Sequence, residues 1–210
     1  MYVPATLVQP AAALAPVGIV STAPPMRRPA RTAIRVGGTH LNVLYGHAAT
    51  VTGTLRPGLA GRVVVLQARG NRGWNTVARA RTHATGRFQL RLLARRTGSE
   101  RVRVIFAGDG LDQGVHRRLG WLNVYRLAGA SWYGGGGSLA CGGSLTSSTM
   151  GVANKTLPCG TLVTLRYGGR SVRVPVIDRG PYVAGREFDL TQATKMALGF
   201  GDTGEVWSTR

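Results

Sequence analysis

The stretch Val174-Pro-Val-Ile-Asp-Arg-Gly-Pro-Tyr182, with Glu187-Phe-Asp-Leu190 close behind it, decides how this chain is read. Its apolar alternation describes a strand, and Gly180-Pro181 turns the chain just beyond the strand's end. The end of that strand presents one carboxylate, Asp178, and a second, Asp189, is expected at the start of a helix. All four histidines, His40, His47, His83 and His116, lie upstream of this region. Chemistry here therefore rests on carboxylates, without a Ser-His pair, a Cys-His pair or a histidine metal site. No metal and no cofactor is expected.

Working outward, residues 161–167 and 170–177 form two strands joined by Gly168-Gly169, a two-residue hairpin of the primed type. Val172, Val174 and Val176 should point one way, and Arg173, Pro175 and Ile177 the other. A short helix is expected over 192–198, with Thr191 as its N-cap and Gly199 as its stop. Val206 and Trp207 supply a last strand.

Five motifs succeed one another here: Ala130-Ser-Trp-Tyr-Gly134, Ala140-Cys-Gly142, Lys155-Thr-Leu-Pro158, Asp178-Arg-Gly-Pro181 and Asp189-Leu-Thr191. In that order they resemble the RlpA-like double-psi β-barrel family, which contains septal lytic transglycosylases and is related to expansins. The resemblance covers residues 128–210 and implies a six-stranded double-psi barrel with one short helix. It also implies a peptidoglycan substrate, with cleavage of the MurNAc–GlcNAc bond and a 1,6-anhydro product. Asp178 matches a catalytic residue of the family. The family's enzymes carry a Glu after an Asn-Gly pair and a His before Lys/Arg-Thr-Leu-Pro. Gly143 and Asn154 stand at those positions in this chain.

These residues admit two readings. In the first, Asp178 protonates the leaving oxygen and then takes the proton of the attacking C6 hydroxyl, so one carboxylate serves both steps. Asp189, Asn154, Trp132, Tyr133, Arg179 and Tyr182 would then support the site or bind glycan. In the second, the groove binds wall glycan without cutting it, as in expansin-like proteins. Plainer roles are also open: Asp178 as a turn cap paired with Arg179 or Arg186, Asp189 as a helix cap, and Trp132 and Tyr133 as core packing.

Upstream, residues 34–126 read as all-β. Phe88, Leu90 and Leu92 alternate with Arg87, Gln89 and Arg91, and Val102, Val104 and Phe106 alternate with Arg101 and Arg103. Trp74, Thr76, Ala78 and Ala80 are expected to share an inward face. Period two with Arg outward describes half-buried antiparallel strands, and the turn spacing suggests an immunoglobulin-like β-sandwich. Residues 1–33 read as a flexible Pro/Ala-rich arm.

The chain carries a net charge of +19, with 25 Arg and 2 Lys. Anionic wall polymers are therefore expected partners beside peptidoglycan strands. Nucleic acid is not expected, because no helical basic stripe, RNA-binding signature or zinc pattern accompanies the arginines. Cys141 and Cys159 are the only cysteines and are expected to be bonded, the alternative being two free thiols. A bond implies an oxidising compartment, hence secretion or the cell wall. No run of about 18 apolar residues is present, so no transmembrane segment is expected. Residues 5–20 lack the charge order of an export signal, whose place would be upstream of this sequence.

Overall fold

A computed structural model describes residues 30–210. The arm expected over 1–33 therefore lies mostly outside the described residues. Its last few residues are fastened rather than free. The N–H of Ala30 donates to Leu111 O, its carbonyl accepts from the Gln113 N–H, and the Thr32 hydroxyl donates to Gln113 O.

The first core lies between two sheets. In chain order the strands are β1 (Ala33–His40), β2 (Asn42–Leu44), β3 (Ala48–Arg56), β4 (Val63–Gly70), β5 (Gly73–Arg81), β6 (Arg87–Leu93), β7 (Gly98–Phe106) and β8 (Val115–Tyr133). One sheet runs β1-β3-β6, and the other runs β5-β4-β7-β8 with β2 parallel to β8. Val51, Leu55, Phe88 and Leu90 from the first meet Val64, Leu66, Val102, Val104 and Leu122 from the second in one buried cluster. Burial of such apolar area, at about 25 cal/mol per Å², is the main stabilising term.

The alternation expected for β6 and β7 holds: Phe88, Leu90, Val102, Val104 and Phe106 are buried, and Arg87, Arg91 and Arg101 are exposed. β5 departs from it. Leu66 pairs with Ala78 but Gln67 with Thr76, so Val77 is an extra residue. This bulge turns Val77 and Ala78 together toward the core and leaves Thr76 outside, against the strict alternation expected.

The second core is built on the end of β8 and the remaining elements of the chain. β9 (Gly137–Ser138) and β10 (Ser144–Leu145) form a small ribbon. Then come β11 (Val152–Ala153), β12 (Leu162–Tyr167), β13 (Arg170–Asp178), β14 (Phe188–Thr191), α1 (Gln192–Leu198) and β15 (Thr203–Ser208). These strands pair in the order β14-β11-β13-β12-β15-β8, and β14 also pairs in parallel with β8. Val163, Leu165, Val174, Val176, Phe188, Leu190 and Val206 fill the interior, with Val172 packed against them.

The local signals of this part translate directly. Gly168 and Gly169 have φ of 52° and 87°, the two positive values a type I′ hairpin needs. The Thr191 hydroxyl accepts the Thr194 N–H, and Gly199 ends α1 in the left-handed conformation.

No linker separates the two cores. β8 is 19 residues long and gives Leu122 and Val124 to the first core, then Ala128 and Ala130 to the second. Side chains reinforce the junction: Ser99 Oγ lies 3.0 Å from Thr164 Oγ1, and the Tyr125 ring lies 5.8 Å from that of Trp207.

Candidate active site

Asp178 is the last residue of β13, and its Oδ1 accepts two backbone N–H groups, from Ala140 and Arg179, each at 2.9 Å. Both donors are on one oxygen, which leaves Oδ2 available to a ligand. The carboxylate forms no ion pair among the described residues. The Arg179 side chain turns away and donates to Asn154 O, Leu157 O and Cys159 Sγ. The backbone-capping role considered for Asp178 is thus present, whereas pairing with Arg179 or Arg186 is not.

The disulfide expected from the cysteine count is formed between Cys141 and Cys159, with their Cα atoms 5.6 Å apart. It ties the loop holding the Ala140 donor to the loop just after Lys155-Thr-Leu-Pro158. The Cys141 N–H also donates to Ile177 O, one residue before Asp178. One cross-link therefore stands behind the carboxylate.

Asp189 lies within β14, not at the start of a helix as expected. Thr191 caps α1 instead. Parallel pairing sets Asp189 opposite Ser131, and the Ser131 hydroxyl donates to Asp189 Oδ1. Strand alternation then puts Tyr133 on the same face of β8 as Ser131. The Tyr133 hydroxyl is buried and faces the Asp178 carboxylate without reaching regular hydrogen-bond geometry to it. Burial above all, then the charge of Asp178 and the approach of the hydroxyl to that carboxylate, and last the charge of Asp189, hold its proton on and push its pKa well above the ordinary phenol value. Tyr133, Asp178, Asp189 and Ser131 form one cluster.

The other expected residues divide. Trp132 points to the opposite face of β8. Its indole N–H donates to Asp202 Oδ1 at 2.9 Å, and Lys195 Nζ lies 3.9 Å from its ring centroid. It belongs with α1 rather than with the carboxylates. Asn154 is buried, and its amide is spent on backbone: Oδ1 accepts from Thr156 and Leu157 N–H, and Nδ2 donates to Glu187 O. The residue at the family's His position therefore holds a turn together. Tyr182 is 79% exposed, four residues beyond Asp178, and free to meet a ligand.

Sequence reading missed Ser131 and the Ala140 N–H. The parity of Ser131 with Asp189 depends on the β8–β14 pairing, which no local pattern reveals. It also missed the pair between Arg126 and Glu187, in which the hydrogen bonds that Arg126 donates to the Glu187 carboxylate raise the Arg126 pKa further.

The arrangement is a half-buried carboxylate at a strand end, a second carboxylate two strands away, and a neutral phenol facing both. Such a set can hold or move a proton and can hydrogen-bond hydroxyl groups. The family described as lytic transglycolase matches residues 127–207, the segment that carries the second core and this cluster. It is RlpA-like. Over 75 residues it is 44% identical to a probable endolytic peptidoglycan transglycosylase RlpA of Aquifex aeolicus, covering 33% of each chain. Over 87 residues it is 41% identical to the endolytic peptidoglycan transglycosylase RlpA of Pseudomonas aeruginosa, covering 39% of this chain and 26% of that one. The chain thus spans a third or less of the length of these relatives. Among solved structures, a Streptomyces papain inhibitor is 27% identical over 40% of this chain and 91% of its own, at a TM-score of 0.33, which carries no structural argument.

Proposed function

We propose that the chain acts on cell-wall peptidoglycan as a lytic transglycosylase, with Asp178 as the group that moves the proton. The observation that carries this reading is the unpaired Asp178 carboxylate, held by two backbone donors beside Tyr133 and Asp189. In the reaction Asp178 gives a proton to the glycosidic oxygen as the C1–O bond breaks. The C6 hydroxyl of the same muramic residue then bonds to C1 and returns its proton to Asp178, so the carboxyl ends as it began. Asp189 orients sugar hydroxyls through Ser131, and Tyr182 offers an exposed ring for stacking. The relatives named as peptidoglycan transglycosylases support the substrate class.

This reading takes residues 34–126 as an immunoglobulin-like sandwich and 128–210 as a six-stranded double-psi barrel, with the chain working outside the cytoplasm. The disulfide favours an oxidising compartment. Among the described residues no helix is long and apolar enough to cross a membrane. The charge of +19 adds attraction to anionic wall polymers.

A second reading, a wall-binding module that does not cut, is favoured by Gly143 and by the structural use of Asn154. Digestion of purified sacculi, with and without stem peptides, separates the two. The transglycosylase reading expects 1,6-anhydromuramic ends that disappear in Asp178→Asn while sacculus binding persists. Reducing ends would mean hydrolysis, and no products with unchanged binding would leave the non-cutting module.

A further inference from the structure

The outer face of the β5-β4-β7-β8 sheet concentrates guanidinium groups on two indole rings. Arg69 and Arg103 lie 5.7 and 4.2 Å from the Trp74 centroid, and Arg101 and Arg173 each lie 4.3 Å from that of Trp121. Arg173 comes from β13, the strand that ends in Asp178, so the face crosses from the first core onto the second. Arg118 pairs opposite Arg103 in the ladder, and Arg69, Trp74, Arg101 and Arg118 line a hollow of about 320 Å³.

Among the described residues these cations lack acidic partners. The ion pairs among the described residues use Arg62, Arg96, Arg126 and Lys195, and Glu100, at the start of β7, is taken by Arg96. Arg103 is held instead by neutral Gln67, whose Oε1 accepts from both Nε and Nη2. Burial first, and then the like charges of Arg210 and Arg101, pull the Arg173 pKa down. Crowding unpaired cations costs stability, and such local conflict is expected where a ligand relieves it.

We infer that the Arg69–Trp74–Arg103 and Arg101–Trp121–Arg173 clusters form a binding face for a phosphodiester-linked wall polymer. Guanidinium forks pre-set on rigid rings suit phosphate oxygens, which they bind bidentately. Each indole already carries two of the protein's own guanidiniums, so bases of a single strand would compete with them for stacking. The face is the surface of a multi-stranded sheet, with no helix or two-stranded ribbon among these residues to enter a duplex groove. An anionic wall polymer is therefore the occupant that fits, and this inference does not depend on whether the barrel cuts glycan.

The test uses the full chain with poly(glycerol phosphate) as probe, in a salt titration followed by calorimetry and without peptidoglycan. R69Q/R101Q/R103Q/R173Q should weaken binding at least tenfold and flatten the salt dependence. R35Q/R56Q/R87Q/R91Q removes the same charge from the opposite sheet and should cost no more than about threefold. Melting should show the first variant as stable as the parent or more so. The pairs R69Q/R103Q and R101Q/R173Q provide the same reading should four changes prevent folding. Equal losses in the two quadruple variants would make the charge diffuse and overturn the site. So would absence of binding at low salt, or melting of both pair variants well below the parent. Tighter binding of double-stranded DNA than of the polymer, at matched charge, would transfer the face to nucleic acid and overturn the assignment.

Discussion

The Ala140 N–H meets Asp178 Oδ1 at 2.9 Å, and the next residue, Cys141, is bonded to Cys159. The disulfide thus serves the site as well as the fold. Replacing both cysteines by alanine should lower stability by about 3 kcal/mol, the chain-entropy value for a loop of this size. The sharper expectation concerns the site. Wall turnover should fall further than the unfolded fraction explains, because the donor on Asp178 is released. Chemical denaturation and product release, measured on one preparation, check it. Turnover that only tracks the folded fraction would count against the positioning role.

Tyr133 titrates late. Its neutral form is favoured in the folded chain, so its pKa is raised relative to the unfolded chain. The stability this contributes is complete below the ordinary phenol pKa of about 10 and is lost as pH rises from there toward the folded value. Burial raises Tyr125 as well. Ultraviolet titration of the native protein should therefore show fewer than the six phenolates that the sequence contains near pH 10–11. Tyr133→Phe should leave the early part of that curve unchanged. It also removes a buried hydroxyl that approaches Asp178 without regular hydrogen-bond geometry, so its melting temperature should hold or rise. A large loss of stability would mean the hydroxyl is bonded after all.

Much of this was legible in the sequence where the code is local. The Gly168-Gly169 turn, the Thr191 and Gly199 caps and the alternation of β6 and β7 each depend on a few adjacent residues. What escaped depends on pairing between distant strands. The bulge at Val77 slips the β5 alternation, and the parallel β8–β14 register turns Asp189 from an expected helix cap into a partner of Ser131. The separation of Trp132 from Tyr133 could have been read from strand parity, since neighbours on a strand face opposite ways.

Arg62 offers a stability test far from the barrel. Its side chain is 5% exposed and pairs with the equally buried Asp112 and with Asp109 at 3.1 Å. Asp112→Ala leaves a buried guanidinium with only part of its compensation and should cost about 3–5 kcal/mol. Asp109→Ala, at a more exposed and solvent-screened position, should cost clearly less. Urea unfolding of the two variants gives the comparison, and equal losses would refute the ranking.

Gly143 carries the last expectation. It stands where the resembling family places a Glu, its φ is +83°, and a Cβ built there meets nothing within 4 Å. A side chain thus has space but pays for a left-handed backbone, about 1–2 kcal/mol. Gly143→Glu should therefore fold with a lower melting temperature. By adding a second acid to the loop whose Ala140 N–H binds Asp178, it should raise the yield of anhydro ends from sacculi at least about tenfold, within the range general acid catalysis supplies. Gly143→Gln carries the same strain without the proton and separates chemistry from geometry. A gain in the glutamate variant alone, lost again on adding Asp178→Asn, would show that the groove is built for cleavage and that this chain runs it with one carboxyl fewer. Equal gains in both variants would point to contacts rather than proton transfer. No gain in either would favour the non-cutting module.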